Sequence, residues 1–131
     1  MRAPPEALLR ASLWATAAAN LGVALLVLLP QTLPGQLAGL PQEPAPALYR
    51  VLLAVFIALF GFTYAWLAHR RVVERSLLML GATGKLLAFL GVSILWCVGD
   101  ISGRFALLMI GDLLFAALFF AWLFGEPRCG T

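Results

Sequence analysis

The sequence predicts an all-α integral membrane protein, a four-transmembrane-helix bundle running up-down-up-down. Composition is the first reason. Hydrophobic residues make up 63% of the chain and charged residues 11%, against about 45–50% apolar and about 25% charged in soluble domains. The second is four apolar runs, at about 8–29, 47–68, 82–100 and 105–124, each close to the ~20 residues that carry a helix across ~30 Å of hydrocarbon. The third is the placing of basic residues at the ends of these runs, where they set orientation. The 131 residues form a single domain.

The chain opens on a short polar stretch with Arg2, Pro4, Pro5, Glu6 and Arg10. The first run, 8–29, is longer than the ~7–15 residues of a signal-peptide core and ends at Pro30 without a small-x-small cleavage pattern, so an uncleaved first span is predicted. Pro30, Pro34, Pro41, Pro44 and Pro46, with Gly35 and Gly39, then break any long helix. Residues 30–46 are expected to form an outer loop with one short interfacial turn near 37–40, a spacer long enough to cover the bundle.

The second span, 47–68, is followed by His69, Arg70, Arg71, Glu74 and Arg75. The third is read as opening at Leu80 or Gly84 and ending at Gly99. Residues 100–104 (DISGR) make a tight polar turn. The fourth span, 105–124, is apolar throughout except for Asp112, and 125–131 form a tail. Trp14, Trp66, Trp96 and Trp122 lie toward span ends, as interfacial aromatics do.

On this layout Arg2, Arg10, Arg70, Arg71, Arg75, Lys85 and Arg128 fall on one side, and only Arg50 and Arg104 on the other. A bias of seven to two predicts a multi-pass membrane protein with both termini cytoplasmic. The net charge of +3 is then an orientation signal and does not point to nucleic acid. Cys97 and Cys129 fall on opposite sides, too far apart to bond, which argues against a thiol–disulfide oxidoreductase.

Small residues mark helix contacts in membranes. The second span carries Ala54, Ala58, Gly61, Ala65 and Ala68 at steps of four and three. The third carries Gly84, Ala88 and Gly91. The first carries Ser12, Thr16 and Asn20 on one face. These stripes are packing surfaces, whether within the bundle or against a second copy or another membrane protein. A carboxylate in a spanning helix is costly, by about 2.5–3.5 kcal/mol near the centre, so Asp112 should face other helices. Measured from the outer ends at about 1.5 Å per residue, Asn20 and Asp112 both lie about 12 Å deep, with Ser93 near the same level. Asn20, Thr16, Ser93 and Asp112 are therefore the candidate ligand or proton site, and Asp100 and Arg104 its outer mouth. The competing reading is an interhelical hydrogen-bonded clamp.

At the cytoplasmic end, Arg70, Arg71, Arg75 and Lys85 either contact anionic headgroups or simply satisfy the orientation rule. Tyr64 reads as an interfacial anchor and His69 as headgroup-exposed. No cofactor is predicted: one histidine cannot supply a bis-histidine haem, and no ligands converge for a metal. Residues 81–85 (GATGK) lack the first glycine and the final Ser or Thr of a phosphate loop. Those glycines are expected to start a helix and allow close packing.

Residues 60–70 (FGFTYAWLAHR), 81–85 (GATGK) and 111–123 (GDLLFAALFFAWL) resemble small bacterial four-helix membrane proteins of the DoxX-like type. The resemblance covers the latter two-thirds of the chain and transfers no catalytic residues. It implies an inner-membrane protein tied to redox or quinone pathways. The expected function is binding of a lipid, quinone or small solute within the bundle around its polar layer, with membrane lipids as partners. The alternative is a structural or accessory subunit. An enzyme using Asp112 as acid or base is a third reading, weakened by the lack of a partner for that carboxylate.

Overall fold

The computed structural model describes residues 3–43 and 45–125. Arg2, Pro44, Arg128 and Cys129, which entered the predictions above, lie outside the described residues, as does the tail beyond Gly125. Among the described residues there are helices and no strands. The order is α1 (Glu6–Leu28), α2 (Leu33–Leu37), α3 (Ala47–His69), α4 (Arg75–Val98), α5 (Gly103–Leu108) and α6 (Ile110–Phe124). Helices α1, α3, α4 and the combined Gly103–Phe124 stretch are each long and apolar enough to cross a membrane.

Two predicted boundaries change. The third span begins at Arg75, not near 82, so Gly81 and Gly84 lie inside α4 and do not start it. Glu74 and Arg75 read as loop in the sequence, but Leu77, Leu78 and Leu80 already belong to the helix. The fourth span is also not one uninterrupted helix. It breaks at Met109, whose amide donates to both Phe105 and Ala106 carbonyls while its own carbonyl accepts from Asp112 at 3.0 Å. This local tightening leaves Asp112 in the first turn of α6, where the positive end of the helix dipole favours a carboxylate.

The long helices associate as two antiparallel pairs. Helix α1 packs chiefly on α3, and α4 on α6, with sparse contact between the pairs. The α1–α3 seam is the small-residue stripe. A Cβ on Gly61 would meet Asn20 Cβ at 3.2 Å and the Ala17 carbonyl oxygen at 3.3 Å, and Ala54, Ala17 and Ala68 are buried. That stripe is therefore used within the chain. The corresponding positions on α4 behave differently: nothing lies within 4 Å of a Cβ placed on Gly91, and Ala88 is exposed.

Two arginines cap helix ends across these pairs. All five N–H donors of Arg10 are engaged: two on Glu6 Oε1 (2.7 and 3.0 Å), and the rest on the carbonyls of Ala68 (2.8 Å), Arg70 (2.6 Å) and Arg71 (2.8 Å). Arg75 donates to the Leu123 carbonyl near the end of α6 and lies 5.7 Å from the Trp122 ring. Carbonyls left unpaired at a helix C-terminus are thereby satisfied by cations.

The apolar core sits at this capped end. Leu9, Leu13, Leu67, Leu78 and Phe119 are wholly buried, and Tyr64, Val73, Ala82 and Leu123 join them. Toward the other end no residue of α4 beyond Lys85 is buried, and none of α5. There the proline-rich connector supplies the link, and its short helix, α2, lies at Leu33–Leu37, ahead of the turn expected near 37–40. The Ser102 hydroxyl, at the start of α5, donates to the Gly39 carbonyl at 2.7 Å. Gly39 has φ +77, and a Cβ there would collide with the Ser102 hydroxyl and Arg104, so glycine is required at that contact.

Candidate functional site

At the boundary between the packed end and the open end lies an ion pair, Lys85 with Asp112. Lys85 Nζ also donates to Asn20 Oδ1 at 3.1 Å. Asn20 in turn donates through Nδ2 to the Ile57 carbonyl at 3.3 Å, across the α1–α3 seam. One ammonium thus joins α4 to α6 and α1, and through Asn20 reaches α3.

The position of Lys85 corrects the sequence reading, which put it among the cytoplasmic basic residues. It lies ten residues into α4 and is only 4% exposed. Depth counted from the capped end explains why. Lys85 is ten residues from Arg75, Asp112 twelve from Phe124 and Asn20 fourteen from Glu6. At about 1.5 Å per residue these depths are about 15, 18 and 21 Å, a spread that a lysine side chain can bridge. Counting from the outer ends gave Ser93 as the third member because α4 was assumed to stop level with the others. Ser93 instead donates to the Phe89 carbonyl in its own helix at 2.7 Å and does not enter the cluster. Asn20 and Asp112 do come together, through Lys85.

The surroundings of the ammonium are built by its own helix and by aromatic residues. Lys85 Nζ lies 5.5 Å from the Tyr64 ring centroid and 5.7 Å from that of Phe115, within the ~6 Å range of cation–π attraction. The Tyr64 hydroxyl donates to the Gly81 carbonyl at 3.0 Å. A Cβ at Gly81 would come within 2.6 Å of the Tyr64 ring, so the absence of a side chain there is what seats the tyrosine. The GATGK segment is a packing element that brings Tyr64, Phe60 and Lys85 to one place. Tyr64, read as an interfacial anchor, is a buried wall of the site.

Two features leave the cluster chemically unfinished. Asp112 keeps 24% of its side chain accessible, and among the described residues its second oxygen, Oδ2, has no hydrogen-bond partner. Thr16, one turn from Asn20 on the same face, is wholly buried, and its hydroxyl has no partner among the described residues. Buried hydroxyls are normally satisfied by protein or water. The cluster therefore offers an acceptor at Asp112 Oδ2 and a donor-acceptor at Thr16.

The other predicted residues lie elsewhere. Arg104 and Asp100 are exposed at the open end. Arg70 and Arg71 are exposed at the capped end, while Arg75 is committed to Leu123 and Trp122. No family model matches the chain, and neither curated proteins nor solved structures yield a match.

Proposed function

We propose that the chain is a multi-pass bacterial inner-membrane protein with both termini cytoplasmic, and that it binds a lipid, quinone or small solute at the Lys85–Asp112–Asn20 layer. The orientation rests on the basic residues. With Lys85 removed to the interior, the bias remains six to two. The capped end is then the cytoplasmic one, and the layer is reached from the outer half of the bundle.

The observation that carries the reading is the accessible Asp112 carboxylate, half committed to a buried lysine. Charges in a bilayer interior are expensive and usually mark ligand or ion sites. A purely structural contact has no need of them, since apolar replacements for a buried pair are often neutral or stabilising. Asp112 Oδ2 can accept a hydrogen bond from a hydroxyl or amine of the ligand, and the Lys85 ammonium can reorient to donate to a carbonyl. A quinone head, which the DoxX-like resemblance implies, or a hydroxylated lipid head satisfies both. The ligand's apolar part would lie between the helix pairs in the open half.

One observation favours the second reading, a structural clamp in an accessory subunit: Lys85 ties α1, α4 and α6 together in a single contact. The double variant Lys85→Met/Asp112→Leu separates the two. Native mass spectrometry of gently extracted protein should find a small molecule on the parent and none on the double variant, with both folded to the same helicity. A double variant that keeps the bound species, or a parent that carries none, overturns the binding reading. A double variant that unfolds while Asp112→Asn still holds the ligand supports the clamp.

A further inference from the structure

Residues 70–74 connect α3 to α4 at the capped end, and this connector is held from two sides. Three donors of Arg10 fix the carbonyls of Ala68, Arg70 and Arg71, and Val73 is buried in the core. With backbone and anchor occupied in this way, the Arg70 and Arg71 side chains are directed outward. Among the described residues, ion pairs join Arg10 with Glu6 and Lys85 with Asp112, and neither Arg70 nor Arg71 has an acidic partner. Arg70 is stacked 5.3 Å from the Trp66 ring centroid. His69, Arg70, Arg71 and Val72 line an open cavity of about 430 Å³. Of these Val72 is 80% exposed, and Trp66, one turn back along α3, is exposed as well.

We propose that this connector binds the phosphate of an anionic phospholipid. The surface is amphiphilic. Two guanidiniums without an acidic partner, suited to bidentate phosphate contact, sit at the end of an apolar helix, and exposed Trp66, one turn back along that helix, lies where the glycerol and upper acyl carbons would fall. Of the four basic residues grouped here by sequence, Arg75 and Lys85 are consumed internally, which confines the site to Arg70 and Arg71, with His69 as a third contact. The site is separate from the Lys85 layer and rests only on the membrane reading.

The test uses the full chain in nanodiscs of phosphatidylcholine with a minority of phosphatidylglycerol, released into a mass spectrometer. The parent should retain phosphatidylglycerol far above its share of the bilayer. Arg70→Gln/Arg71→Gln should lower that preference by about thirtyfold, and Arg104→Gln, at the opposite end, should leave it unchanged. Arg70→Lys/Arg71→Lys preserves charge and orientation, so a reduced preference there assigns the effect to guanidinium geometry even where the glutamine variant fails to insert. Equal retention of both lipids by the parent, or a preference indifferent to both double variants, overturns the proposal. So does displacement of the lipid by inorganic phosphate alone, which would show a plain anion site. Failure of the parent to enter nanodiscs would instead overturn the membrane reading.

Discussion

The two halves of the bundle are built on different terms. In the capped half, Leu9, Leu13, Leu67, Leu78 and Phe119 exclude solvent completely, and Arg10 and Arg75 close the ends of α3 and α6. In the open half, α4 presents Leu87, Leu90, Ile94 and Val98 outward, and the main tie between the pairs is the connector seated on Ser102. The Lys85–Asp112 pair stands where one regime gives way to the other. A packed half supplies rigidity, and the looser half leaves the carboxylate approachable. The comparison teaches that the polar layer is placed by the packing beneath it, not by the depth of the helices from the open end.

Substitutions can break this contrast in graded steps. Asp112→Ala should have the largest effect, because it strands a 4%-exposed ammonium on Asn20 alone; a loss of about 3–5 kcal/mol is expected in a reversible unfolding titration. Gly81→Ala comes next, since its Cβ would press on the Tyr64 ring, at a cost of about 1–3 kcal/mol and with changed near-UV circular dichroism. Arg10→Met removes charged hydrogen bonds at a partly exposed site and should cost about 2 kcal/mol; faster amide exchange confined to residues 68–74 would confirm the cap. Gly91→Ala, in the open half, should be neutral or stabilising by up to about 1 kcal/mol. A severe loss there would mean the two halves are equally packed and would remove the contrast.

Much of the architecture was readable from residue patterns because the runs of apolar residues and the proline-rich break are local signals. Asn20 and Asp112 could be matched in depth for the same reason. Lys85 could not, because a lysine ten residues inside a helix and a lysine at its mouth differ only in where that helix begins. The signal was present in Leu77, Leu78 and Leu80, which extend the apolar run backward over a segment that Glu74 and Arg75 made look like loop. The break at Met109 had no such marker. The Arg10 cap joins residues some sixty positions apart and depends on the two helices already being paired, so no local pattern could disclose it.

The chain's sole lysine makes the central claim directly measurable. In protein labelled with 15Nζ-lysine and 13Cγ-aspartate and reconstituted in lipid, solid-state NMR should show strong transfer from Lys85 Nζ to an aspartate Cγ. That transfer should persist in Asp100→Asn and vanish in Asp112→Asn. A lysine signal with no aspartate transfer and rapid exchange with water would place Lys85 among the headgroups and contradict the account.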